Sequence, residues 1–142
     1  MSAVSNRSDE YLPGDPPQEP KTILVVDDEA KMRQVLRVCL APQGFVILEA
    51  GDGEGALRVC REHPGPIHLA LVDVVMPGMS GLELAPKLVE LRPDARMILM
   101  SGQTDDQILL HGSLNPNTPF FHKPFTVEEL VSKISEILKP SQ

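Results

Sequence analysis

Leu69-Ala70-Leu71-Val72-Asp73-Val74-Val75-Met76-Pro77-Gly78 is the stretch that decides how this chain folds. Four apolar residues in a row suit a short strand buried on both faces, as in a parallel sheet, and Pro77-Gly78 marks the turn that follows. Asp73 closes the strand, which delivers its carboxylate to the rim where ligands of open α/β folds collect. The figure occurs a second time, because Thr22-Ile23-Leu24-Val25-Val26 runs straight into Asp27-Asp28-Glu29. If the two strands are parallel neighbours, three or four carboxylates meet at one end of the sheet. Their mutual repulsion is tolerable only with a cation among them.

Outward from these strands, apolar runs alternate with amphipathic stretches in βα order, which predicts a parallel sheet with helices on both faces. Strands are expected near Thr22–Val26, Phe45–Glu49, Leu69–Val72, Met97–Met100 and Phe120–His122. Helices are expected near Glu29–Leu40, Gly53–Arg61, Gly81–Leu91, Asp105–Leu114 and Thr126–Leu138. In the first helix Met32, Val35, Leu36, Cys39 and Leu40 recur at steps of three and four, with Lys31, Arg33 and Arg37 opposite, and Pro42 with Gly44 stops it. The last begins with the capping-box pair Thr126 and Glu129, and Leu130, Ile134, Ile137 and Leu138 form its inner stripe. Pro86 lies inside the third and predicts a kink or a late start.

Residues 1–20 carry Pro13, Pro16, Pro17 and Pro20 and almost no apolar periodicity, so they read as a disordered tail or linker ahead of one domain over residues 21–142. The 142 residues and 42% apolar content suit a single domain with a real core. A net charge of −7 with no basic cluster argues against nucleic acid and anionic membrane surfaces as partners. No apolar run approaches the roughly 20 residues that cross a bilayer, and the polar amino terminus lacks a signal-peptide core, so a cytoplasmic location is expected. Cys39 and Cys60 read as small buried side chains. His63, His68, His111 and His122 lack metal-ligand spacing and read as surface or loop residues.

Two further strands end in polar groups, Ser101-Gly102 after Met100 and Lys123-Pro124-Phe125 after His122. A carboxylate, an acidic pair, a hydroxyl beside a glycine and a lysine together suit the handling of a phosphoryl group with magnesium. Mg²⁺ favours oxygen ligands, which Asp27, Asp28 and Asp73 offer. Lys123 adds positive charge, Ser101 a hydrogen-bond donor, and Gly102 room for approach.

With these motifs the chain resembles the receiver domain of two-component response regulators. The resemblance covers about Lys21 to Pro140 and rests on Val25-Val26-Asp27-Asp28-Glu29, Asp73 through Gly81, Met100-Ser101-Gly102 and His122-Lys123-Pro124-Phe125. It implies a flavodoxin-like (βα)5 three-layer sandwich with a five-stranded parallel sheet of order 2-1-3-4-5. It also implies that Asp73 accepts a phosphoryl group from a sensor histidine kinase or a histidine phosphotransfer protein. Asp27, Asp28, Asp73 and the backbone carbonyl of Val75 would hold Mg²⁺, Lys123 would contact the phosphoryl group through a loop with a cis Lys123–Pro124 peptide, and Ser101 and Phe120 would form the switch. The surface of the fourth helix, fifth strand and fifth helix would then change, and a homodimer could form through it. The downstream partner is not implied.

At Val75 many relatives carry a polar side chain, and Gln103 follows two residues after Ser101. These positions tune dephosphorylation in the family, so the apolar Val75 is expected to hinder an attacking water and lengthen the phosphorylated state. An aspartyl phosphohydrolase of the haloacid dehalogenase type needs an acid at position 75 and finds valine. A degenerate receiver that only binds partners usually lacks the acidic pair or the lysine, and both are present. A flavin carrier shares the layout, but the Asp27-Asp28-Glu29 loop would repel its phosphate. With no second domain after Leu138, the chain is expected to be a freestanding receiver or one excised from a larger protein. Met100 through Asp106 resembles receivers at the carboxyl end of hybrid sensor kinases.

Overall fold

The computed structural model describes residues 20–102, 120–123 and 125–138. Most of the tail, the helix expected near Asp105–Leu114, Gln103 and the Lys123–Pro124 peptide lie outside the described residues. Five strands, β1 (Thr22–Val26), β2 (Val46–Ala50), β3 (Leu69–Asp73), β4 (Arg96–Ser101) and β5 (Phe120–His122), form one sheet of order β2-β1-β3-β4-β5. Every pairing is parallel. This is the flavodoxin-like order, in which the winding direction reverses between β1 and β3 and opens a crevice at their carboxyl ends.

Side chains alternate across the strands with period two, and the two faces bury separate cores. Leu24, Val26, Ala70, Val72 and Leu99 pack with Ala56, Leu57 and Cys60 of α2 (Gly53–Glu62) and Leu84 and Leu88 of α3 (Gly81–Leu91). Ile23, Val25, Leu69, Leu71, Ile98 and Met100 pack with Leu36 and Leu40 of α1 (Ala30–Leu40) and Leu130 and Ile134 of the last helix (Val127–Leu138). Each fully buried Leu or Ile is worth about 1.5–3 kcal/mol. That reserve holds the strands in register while polar groups gather at their ends. None of the helices in the described residues is long and apolar enough to cross a membrane.

Register sets the rim. Val26 pairs with Val72, so Asp27 and Asp73 leave the sheet level with each other, and Ser101 pairs with His122, so Lys123 leaves one step later on the next strand. Most expected elements shift by a single residue, as at β2, which starts at Val46 instead of Phe45. The last helix has its expected capping box, since the Glu129 backbone N–H donates to Thr126 Oγ1 (3.0 Å) and the Thr126 N–H donates to Glu129 Oε1 (2.8 Å). Val35 departs from the expected stripe of α1 and is half exposed, because Leu36 and Leu40 alone are fully covered there.

The helix α3 starts on time despite Pro86. Ser80 and Glu83 form a reciprocal capping box that satisfies two N–H groups at its first turn, and Pro86 stands on the exposed side. Gly81 is required here for a different reason. Its N–H donates to the Val74 carbonyl at 2.8 Å, and a Cβ on it would collide with the Asp73 carbonyl oxygen and lie 2.9 Å from Val74 Cα. The helix therefore rests directly on the backbone that carries Asp73. Gly81→Ala is expected to destabilise the fold by about 1–3 kcal/mol through overpacking. Urea unfolding measures this, and a variant as stable as the parent would show that the contact relaxes freely.

Candidate functional site

Asp27, Asp28 and Asp73 come together as expected, with one carboxylate oxygen of each within 4.8 Å of the other two. Asp27 and Asp73 are buried, and Asp28 is exposed. The backbone prepares each position. The Asp27 N–H donates to the Ala50 carbonyl (3.2 Å) as β1 leaves the sheet, and Asp27 Oδ1 accepts the Glu29 N–H (2.9 Å) at the entry to α1. That bond turns the loop and places a carboxylate near the positive end of the helix. Across the crevice, Asp73 Oδ1 accepts the Val75 N–H at 3.3 Å.

Lys123 bridges the two buried acids. Its Nζ stands 3.3 Å from Asp73 Oδ2 and 3.4 Å from Asp27 Oδ2, and its own N–H donates to the Ser101 carbonyl at 2.7 Å. Burial lifts the Asp73 pKa above the ordinary carboxylate range, opposed by the charge of Lys123 and assisted by that of Asp27. Burial alone would lower the Lys123 pKa, but the charges of Asp27 and Asp73 outweigh it and hold the ammonium above its usual range. The lysine stays charged. Even so, one ammonium pairs with two of the three clustered carboxylates, so the group retains capacity for a cation.

Ser101 is fully buried, and its Oγ has no hydrogen-bond partner among the described residues. A dry unpaired hydroxyl costs about 1–3 kcal/mol, so a ligand oxygen reaching it would gain a bond without displacing one. Val75, two residues after Asp73, is 45% exposed. Phe120 is partly buried against the core under α2 and α3.

Arg33 was not foreseen at the site. Its expected place was the outward face of α1, but Nη1 donates to the Asp27 carbonyl at 2.6 Å and Nε pairs with Glu49 Oε1 at 3.2 Å. The available signal was a basic residue six positions beyond Asp27 and an acid near the end of the neighbouring strand. His68 also differs from a plain surface residue, since its Nδ1 accepts the Thr22 N–H at 2.8 Å at the opposite end of the sheet. Both cysteines are free, Cys60 buried and Cys39 partly so.

The family described as the response regulator receiver domain matches residues 23–135. The chain belongs to that family. The receiver is 34% identical over 121 residues to the phosphate regulon transcriptional regulatory protein PhoB of Pseudomonas aeruginosa, covering 84% of this chain and 52% of PhoB. It is 31% identical over 118 residues to the sensor kinase CckA of Brucella abortus, covering 83% of this chain and 12% of CckA. Among solved structures, the response regulator TrrA of Thermotoga maritima, in complex with Mg²⁺-BeF, matches with a TM-score of 0.68 at 32% identity, covering 82% of this chain and 98% of that one. The receiver spans about half, or less, of the length of the curated relatives it matches.

A raised pKa makes ionisation of Asp73 costly to the folded receiver. Its contribution to stability is therefore fully present below the ordinary value of 3.8 and lost as pH rises through the raised value. In buffer free of divalent ions, Asp73→Asn is expected to be more stable than the parent at neutral pH, with the gain disappearing in acid below that ordinary value. Thermal unfolding against pH measures it, and a variant less stable at neutral pH would mean that the Lys123 pairing outweighs desolvation.

Proposed function

We propose that this receiver is a phosphoacceptor in which Asp73 takes a phosphoryl group from the phosphohistidine of a sensor histidine kinase or a histidine phosphotransfer protein. The observation that carries the reading is the meeting of Asp27, Asp28 and Asp73 at the crevice between β1 and β3, with the Lys123 ammonium bridging Asp27 and Asp73. The donor set suits magnesium. It is all oxygen, and its 4.8 Å spread is close to the roughly 4.2 Å between opposite ligands at about 2.1 Å from a Mg²⁺ ion. Asp27, Asp28, Asp73 and the Val75 carbonyl would hold the ion, and the ion would offset the charge of the incoming phosphoryl oxygens.

The remaining steps belong to the chain. An oxygen of ionised Asp73 attacks phosphorus while the phosphorus–nitrogen bond of the donor breaks, and the leaving imidazole takes up a proton. Lys123 contacts a phosphoryl oxygen in exchange for part of its pairing with Asp73, so charge at the rim remains balanced. The unpaired Ser101 hydroxyl donates to another phosphoryl oxygen. Its movement frees space for Phe120 to turn, and the surface of the expected fourth helix, β5 and the last helix changes for a partner or a second copy.

No acid stands at position 75 to serve a hydrolase cycle, which favours a signalling phosphoacceptor over a phosphatase. The similarity to the sensor kinase CckA supports a place for this receiver within a phosphorelay, as part of a hybrid kinase or as a separate protein. In this reading residues 1–20 are a tail or linker, residues 21–142 the receiver, and the protein works in the cytoplasm without contacting nucleic acid.

Incubation with a radiolabelled phosphodonor and Mg²⁺ is expected to give acid-labile, base-labile label on the parent and none on Asp73→Asn. Undiminished label on the variant would refute the assignment. Because Val75 is exposed and its N–H donates to the acceptor carboxylate, Val75→Asn is expected to shorten the phosphorylated lifetime by giving an attacking water a polar partner. Label decay measures it, and a slower variant would reverse the role assigned to Val75.

A further inference from the structure

We infer that Arg33 is a positioning residue that sets the divalent-cation affinity of the rim from outside it, by clamping the backbone between Asp27 and Asp28. The inference rests on the proposed reading of that rim as a Mg²⁺ site.

The clamp has two ends. On the rim side, Arg33 Nη1 donates a short 2.6 Å bond to the Asp27 carbonyl, the peptide oxygen between the two acids. On the other side, Glu49 of β2 accepts Arg33 Nε through Oε1 (3.2 Å) and Arg37 Nε through Oε2 (2.6 Å), and Arg37 Nη2 reaches the Ile47 carbonyl at 3.2 Å. Glu49 is thus held by two guanidinium groups. Gly51 leaves space on the path, since a Cβ there would lie 3.3 Å from Arg33 Nη1. Only about a fifth of the Arg33 side chain is exposed, so the bond to Asp27 is partly shielded from competing water.

The peptide that Arg33 grips decides where Asp28 points relative to Asp27. Asp27 is fixed independently, by its N–H to Ala50 and its Oδ1 to Glu29, whereas Asp28 is exposed and depends on the direction of that peptide. Groups that orient ligands from behind commonly change metal affinity by about 10–100-fold when removed. A second arginine provides the contrast. Arg92 donates to the carbonyls of Cys60, Gly65 and His63 at 2.7–2.9 Å, fastening the end of α2 with no bond to the acids.

Isothermal calorimetry with MgCl₂ on the full chain, paired with amide hydrogen exchange of the metal-free protein, tests the inference. Arg33→Met is expected to weaken Mg²⁺ binding about tenfold and speed exchange at Glu29, Arg33→Lys to lose about threefold because an ammonium lacks the fork that spans Glu49 and Asp27. Arg92→Met is expected to lower the melting temperature with Mg²⁺ affinity unchanged. Arg33→Met binding within twofold of the parent, while Asp27→Asn binds weakly, would overturn the role of Arg33 and leave the site reading intact. Equal losses in Arg33→Met and Arg92→Met would reduce Arg33 to a structural residue. A parent no tighter than Asp27→Asn would overturn the site reading and the inference with it.

Discussion

The concentration of negative charge at the crevice between β1 and β3 is the constraint to which the rest of the receiver answers. Two buried carboxylates and one exposed one each bring one oxygen within 4.8 Å of the other two, with one lysine bridging the buried pair. Like charges at such spacing repel strongly where the dielectric is low. The strands beneath must therefore be rigid enough to hold the acids together, and the wholly buried sequences of β1 and β3 meet that requirement. Gly81 extends it, because α3 braces the Asp73 backbone by direct contact.

What could be read from the chain beforehand follows from which interactions are local. Asp27 and Asp73 were legible because each ends an unbroken apolar run, and such runs suit parallel strands that place both residues at the same edge. The Thr126 and Glu129 cap was legible because its partners lie three residues apart. Arg33 was not, since its position on α1 suits solvent as well as it suits Glu49, and only the packing of α1 beside β2 decides between them. Val35 departs in the opposite direction, from an expected buried stripe to half exposure. A three-and-four spacing identifies a helix face but not how wide a strip the sheet covers. His68 took a side-chain bond to Thr22 that depends on two strands meeting at their amino ends.

Lys123 has a double character that charge balance explains. In the structure it is a counter-ion, held near both Asp27 and Asp73 at distances longer than a tight ion pair, so neither acid is fully neutralised. A lysine ammonium is a mobile point charge on a flexible stem, which can give up one carboxylate for a phosphoryl oxygen at little cost. A guanidinium locked in two parallel bonds could not. The loose bridge is therefore compatible with both the resting charge balance and an exchange of partners.

The unpaired Ser101 hydroxyl completes the same logic from the neutral side. Folding leaves this group buried without a partner among the described residues, and it leaves Asp73 with a raised pKa, so both features lower the stability of the resting receiver. On the proposed reading each would be relieved on phosphorylation: the hydroxyl by an acceptor oxygen, the carboxylate by positive charge or by bond formation. Two separate destabilisations with a common remedy would then bias the chain toward the occupied state without any change in its core. The cost is borne at the rim, while Leu24, Leu71, Ile98 and Leu99 beneath it stay fully packed. On the proposed reading, local strain over a rigid base would allow a single added group to alter one surface and leave the fold in place.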